Sequence, residues 1–147
     1  MNKSIGLEIK KVNNLIIRYL IEKTKEITNI PLTPVQIMII RFLNNSVNKN
    51  IYQKDIEDFV QMRKSTISGV LDTMEKNNII SRINSKNDLR SKRIILTDFG
   101  KELSIKLKIQ KEEFDNLLKN NINDEELNIF YNVIDKIIFN LKGEKHV

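Results

Sequence analysis

The sequence predicts a mainly α fold: a winged helix-turn-helix, helices plus a small β-hairpin wing, flanked by long N- and C-terminal dimerisation helices. Three observations predict it. Ile79 to Gly100 reads as two short strands around a polar tip, with Ile79, Ile80, Arg82 and Ile83 before it, Asn84 to Ser91 forming it, and Arg93 to Leu96 after it. That hairpin is basic: Arg82, Lys86, Arg90, Lys92 and Arg93 stand against Asp88 alone, a local balance of +4. The helix just before it combines an apolar stripe with an outer face of very small side chains.

The elements follow in order. Ile5 to Ile27 is a long amphipathic helix, with Ile5, Ile9, Val12, Ile16, Tyr19, Leu20 and Ile27 near one stripe, and Pro31 ends it. Thr33-Pro34-Val35-Gln36 restarts the chain: Thr33 caps, Pro34 takes the first helical position, and Gln36 completes a capping box. The helix from Val35 to Leu43 is apolar nearly all round and is expected to be buried centrally. Ile51-Tyr52 reads as a very short strand, and Gln53 to Val60 as a short helix with Ile56, Phe59 and Val60 inward. Gln61-Met62-Arg63 is a tight turn without glycine. In the helix from Lys64 to Asn77, Ile67, Val70, Leu71 and Met74 mark the core at helical spacing. Asn77-Asn78 closes it, since asparagine tolerates the left-handed conformation. After the hairpin, Thr97 caps a long helix to about Lys119. Asn123 with Glu126 opens the last helix, whose stripe runs from Leu127 to Leu141, with Gly143 as its stop.

The chain of 147 residues is about one domain's worth and long enough to bury a core. Net charge is +6, which favours a polyanionic partner. The excess is uneven: residues 1–50 hold 8 basic and 3 acidic side chains, while 101–147 hold 8 and 9. The blander reading of the Lys, Asn and Ile richness is an AT-rich genome. With no cysteine, disulfides, thiol switching and thiolate metal sites are excluded. The single histidine, His146, stands next to last and cannot build a metal site alone, so no metal and no cofactor are expected. No signal peptide is evident and no apolar run nears the ~20 residues that span a bilayer, so no membrane partner is expected and the location is read as cytoplasmic.

The outer face of the Lys64–Asn77 helix is Ser65, Thr66, Ser68, Gly69, Asp72, Thr73 and Lys76. Small side chains let a helix approach the floor of the major groove, where hydroxyls bond base edges or phosphates. Gly69 costs about 1 kcal/mol in a helix interior relative to alanine, which a close approach to DNA would justify. Arg63 and Lys64 stand at the helix start, where free N–H groups also attract phosphate. The plain alternative for this helix alone is an ordinary solvated face; the basic hairpin that follows argues against it. In the hairpin, Asp88 is placed to orient Arg90 for a narrow minor groove, the plainer reading being a surface ion pair. Lys86, Lys92 and Arg93 suit phosphate contacts.

The ordered series Ser65-Thr66-Ile67-Ser68, Met74-Glu75-Lys76, Ile79-Ile80-x-Arg82, Asp88-x-Arg90 and Leu96-Thr97-x-x-Gly100 resembles the MarR (multiple antibiotic resistance regulator) family. The resemblance covers most of the chain, flanking helices included. It implies a homodimeric regulator, repressor rather than activator, with two winged helix-turn-helix lobes on a pseudo-palindromic double-stranded DNA operator. By position, Ser65, Thr66 and Ser68 would lie on the recognition helix, and Asp88 and Arg90 at the wing tip. The sequence departs from the family pattern in three places. Asn78 replaces the usual glycine, Tyr52 stands where Ser or Thr often caps the first helix of the motif, and Arg63 replaces a short capping residue. The resemblance also implies release by a small aromatic or phenolic effector, for which Tyr19, Met38 and Phe42 are candidates, although their plainer role is core packing. One chain of 1–147 then divides into a DNA-binding lobe, 33–96, and dimerisation helices, 1–30 and 97–147. The end helices are about 35 Å long, and their wide apolar stripes are more than a lone winged lobe can cover, which points independently to a second copy.

Rival classes fare less well. An enzyme would need a nucleophile–base pair or phosphate loop, and the chain has no cysteine, one terminal histidine and 4 glycines. A helical protein-interaction module would not need the basic wing. Single-stranded RNA binding would call for an aromatic platform that neither wing nor recognition helix carries.

Overall fold

The computed structural model describes residues 2–84 and 91–143. Its order is α1 (Ile5–Thr28), α2 (Pro34–Asn45), α3 (Gln53–Val60), α4 (Lys64–Lys76), β1 (Ile80–Asn84), β2 (Lys92–Leu96), α5 (Asp98–Lys119) and α6 (Asp124–Gly143). Two compact units result, residues 1–108 and 109–147.

In the first unit, Ser4 caps α1, and Asn29 ends it in the left-handed region with φ 61°. Asn29, rather than Pro31, is therefore the local stop. The end of α1 is tied into the core by hydroxyls. Thr24 Oγ1 donates to Leu20 O (2.6 Å) and accepts from the Leu32 N–H (2.8 Å), while Thr28 Oγ1 donates to Thr24 O (2.7 Å). The Thr33–Gln36 capping box forms in full at the start of α2. Ile37, Ile39 and Ile40 of α2 are buried as its composition demands, but Met38 is 39% exposed, so the helix has one open face.

α3 does not bury Phe59, which was expected inward and is exposed; its ring stacks on Phe42 with centroids 4.4 Å apart. Helix α3 has only two turns, and its buried line is held by Ile56. Tyr52 gives no side-chain cap; instead Asp55 accepts the Tyr52 N–H at 2.8 Å. Ile51-Tyr52 is not a strand: Ile51 is joined to β2 by a single bond, Ile94 N–H to Ile51 O at 2.8 Å. One bond does not make a ladder, and the sheet has two strands.

Gln61 makes the corner between α3 and α4 with φ 56°. Ile67, Leu71 and Met74 of α4 are fully buried, and Asn78 turns the chain into the hairpin with φ 60°. β1 and β2 pair antiparallel from Ile80–Leu96 to Asn84–Lys92. A corner of hydrogen bonds then launches α5. The Thr97 N–H donates to Ile79 O (3.1 Å), Thr97 Oγ1 donates to Asn78 O (2.6 Å), and the Gly100 N–H donates to Thr97 Oγ1 (3.0 Å).

In the second unit, the Asn123–Glu126 capping box forms at the start of α6, with bonds of 3.0 and 2.9 Å. α6 buries none of its residues. Phe130, Tyr131, Ile138 and Leu141 are exposed although they fall on one helical stripe, and Leu127, Ile134 and Ile137 of that stripe are half-buried. No helix among the described residues is long and apolar enough to cross a membrane.

Candidate nucleic-acid interface

The candidate surface is built from the start of α4 outward. Arg63 precedes α4 with extended backbone (φ −70°, ψ 151°) and makes no side-chain cap, so the first N–H groups of α4 are not taken by Arg63 and its guanidinium stays outside the helix. Arg63, Lys64, Ser65, Thr66 and Gly69 are exposed, while Ser68 is half-buried. A Cβ on Gly69 would meet nothing within 4 Å, so no internal packing requires a glycine there. The requirement, if one exists, is external. On the same outer face Thr73 Oγ1 donates back to Gly69 O at 3.1 Å.

Beside α4 lies an open cleft of about 600 Å³ between the starts of α3 and α4 and the base of the wing. Lys54, Lys64, Arg82 and Lys92 line it, with Glu57 the one acidic side chain of its lining among the described residues. Asp58 hydrogen-bonds the Lys54 ammonium at 3.1 Å and holds its pKa above the ordinary lysine value, keeping it charged. Arg82 is only 20% exposed in its side chain and pairs through Nη2 with Asp72 Oδ1 at 2.8 Å, linking β1 to α4. Its Nε is buried with no partner among the described residues. Four cations around one concave surface make a trough for a polyanionic backbone.

A second polar link crosses from α3 to α4. Gln53 Nε2 donates to Ser68 Oγ at 2.9 Å and approaches Lys64 O at 3.4 Å. Of the residues expected from sequence, Lys64, Ser68 and Lys92 are thus gathered at the cleft, and Arg63, Ser65, Thr66 and Gly69 form the exposed α4 face beside it. Lys86, Asp88 and Arg90, and with them the proposed Asp88–Arg90 pair, lie outside the described residues. Sequence reasoning missed Lys54 and Gln53 and gave Arg82 no specific role. The start of α3 was visible as a helix start, but a 15-residue separation between Gln53 and Ser68 carries no periodic signal. Neither this cleft nor a smaller one of about 280 Å³ beside the end of α2 is lined by Tyr19, Met38 or Phe42. Phe42 is engaged with Phe59.

Residues 32–92 match the model of the MarR family. Among solved structures, the heme sensor protein PefR from Streptococcus agalactiae in complex with heme is 27% identical with TM-score 0.73, over 95% of each chain. The transcription regulator MarR from Oenococcus oeni PSU-1 is 24% identical with TM-score 0.69, over 92% of this chain and 98% of that one. The S. aureus MepR–DNA complex is 20% identical with TM-score 0.79, over 94% and 96%. At their lower identity the latter two bear on the fold alone. No curated protein matches the chain.

Proposed function

We propose that this chain, whose residues 32–92 match the model of the MarR family, is a transcription regulator rather than an enzyme: a homodimer that represses transcription by occupying a pseudo-palindromic duplex operator. The observation that carries the reading is the small-faced start of α4 set against the trough of Lys54, Lys64, Arg82 and Lys92. The trough suits one strand's phosphates, and the adjoining hydroxyls suit base edges in the major groove. In this reading Arg63, Lys64, Ser65, Thr66, Ser68, Gly69 and Lys92 contact DNA from the described surface, with Lys86, Asp88 and Arg90 joining from the wing tip. The similarity to the fold of the MepR–DNA complex supports it.

Dimerisation is supported by apolar faces left uncovered. Ile5, Leu7, Ile9, Val12 and Leu15 of α1 are exposed, as are Phe130, Tyr131, Ile138 and Leu141 on the stripe of α6. Removing apolar surface from water contributes roughly 25 cal/mol per Å², and monomers seldom leave large apolar faces open. Repression follows from bulk: a dimer laid along promoter DNA excludes polymerase. Similarity to a heme sensor supports control by an effector. The chain has no cysteine and a single histidine, so the usual strong iron ligands are scarce, and the reading stays with a small aromatic or phenolic molecule.

Selection from a random duplex pool at about 150 mM salt tests the whole reading. An inverted repeat with half-sites about 10 bp apart is expected. A folded protein that enriches nothing would sink it in favour of a helical interaction module.

A further inference from the structure

We propose that Gln53 is a specificity-determining positioning residue: it takes up one of the two acceptor positions of the Ser68 hydroxyl, biases that hydroxyl toward donating, and so narrows the base edges that Ser68 prefers. The proposal rests on α4 being the recognition helix.

The amide's orientation is set by its surroundings. Lys64 O is a carbonyl and can only accept, so the side of the Gln53 amide facing it must be Nε2. That same nitrogen donates to Ser68 Oγ at 2.9 Å. Both amide protons are then directed into α4, one toward a backbone carbonyl and one into a lone pair of the serine. Lys64 O is also the carbonyl one turn before Ser68, the usual acceptor for a helical serine. Here it faces Gln53 instead. With a proton already aimed at one lone pair, the Ser68 hydroxyl has its O–H and one remaining lone pair to offer, both turned away from Gln53. Ser68 is half-buried, and Gln53 lines the cleft beside it, so that hydroxyl stands at the edge of the DNA-facing surface.

The consequence is a polarity filter. A serine free to rotate bonds donors and acceptors alike. A serine with one acceptor position already taken is biased toward guanine N7 and O6, adenine N7 or thymine O4, and away from the cytosine amino group. Gln53 itself need not touch a base. It sits at the first position of α3, so glutamate there suits the positive end of the helix dipole and folding is retained.

The test is duplex selection with wild type, Gln53→Glu, Gln53→Met, Ser68→Ala and the Gln53→Glu/Ser68→Ala double variant, each first checked for an unchanged thermal melt. Glutamate accepts from Ser68 and reverses the bond, freeing the serine to receive a proton. Gln53→Glu is expected to change the preferred base at one position of each half-site, with relative enrichment moving by about tenfold, in the range of one base-edge contact. Gln53→Met is expected to relax that position. In the Ser68→Ala background, Gln53→Glu is expected to add nothing there. The added negative charge lowers affinity for all sequences alike and is separable from a change at one position. Three results overturn the proposal: an unchanged half-site in Gln53→Glu, an equal switch in the Ser68→Ala background, or no effect of Ser68→Ala at any position. Failure of wild type to select any inverted repeat is a different result, and it would strike the reading of the protein as a regulator.

Discussion

Gly100 lies against the carbonyl of Ile79 so closely that a Cβ at residue 100 would run into that oxygen. Its φ is not positive, so close approach and not left-handed backbone is what selects glycine. Leu96-Thr97-x-x-Gly100 thereby acquires a physical meaning. Thr97 ties the first turn of α5 to Asn78 and Ile79, and Gly100 lets that turn come near enough for the bonds to form. Gly100→Ala is expected to destabilise the protein by about 1–3 kcal/mol, as overpacking against backbone does. Urea denaturation followed by circular dichroism measures it. A loss of a few tenths would mean the corner yields.

Thr24 is fully buried and its hydroxyl is the acceptor for the Leu32 N–H. Thr24→Val keeps the shape and leaves that N–H without a partner, at a cost of about 1–3 kcal/mol. The midpoint of thermal unfolding should fall by several degrees, and DNA preference should not change.

Arg82→Ala is expected to weaken binding to every duplex and to reduce the salt slope by about one, as loss of a phosphate contact does. Asp72→Ala removes the same ion pair from its exposed end, where the carboxylate is 67% accessible. Its effect on stability should stay below about 1 kcal/mol. Binding titrations at several salt concentrations separate the two roles. Arg82→Ala with an unaltered slope would remove Arg82 from the interface.

Lys64→Ala and Lys92→Ala should behave like Arg82→Ala, while Ser68→Ala should reorder preference among sequences with a smaller loss of overall affinity. Competition between specific and random duplexes distinguishes these patterns. A uniform loss for Ser68→Ala would place its hydroxyl on a phosphate.

Phe130 and Phe139 are 55% and 76% exposed on α6. If the proposed dimer packs through α6, their joint replacement by glutamate is expected to leave a monomer in light scattering at micromolar concentration, and to weaken binding to the proposed operator with it. A variant pair that remains dimeric would move the subunit contact away from α6.

Much of the fold was legible because it rests on local rules. The helical spacing of Ile67, Leu71 and Met74, the Thr33–Gln36 and Asn123–Glu126 boxes and the alternation around Arg82 each declare an element within a few residues. Phe59 was misread because a two-turn helix has too few positions to show which apolar side chain the core will leave out. Ile51 was misread because one backbone bond to β2 imitates strand character without a ladder. At the site, Arg63, Lys64, Ser65, Thr66 and Ser68 could be named because they fall on one helix. Lys54 and Gln53 could not, because their place in the cleft depends on how α3 meets α4, and Arg82 gained a partner only when β1 was laid beside Asp72.

The corner at Gln61 carries a further implication. It holds φ 56° on a residue with a full side chain, where glycine would be the unstrained choice. The turn's own bonds hold it there, Met62 N–H to Glu57 O at 3.3 Å and Gln61 Nε2 to Asp58 O at 2.6 Å, and they stiffen the angle between α3 and α4. Asn78 does the same at the other end of α4 with φ 60°. The helix proposed to meet DNA is thus braced at both ends beforehand. Little ordering remains to be done on the protein's side at contact, and such preorganisation favours affinity. Whatever misfit exists in the groove must then be taken up by the duplex, so sites that bend or widen readily will be preferred even at base pairs the protein never touches.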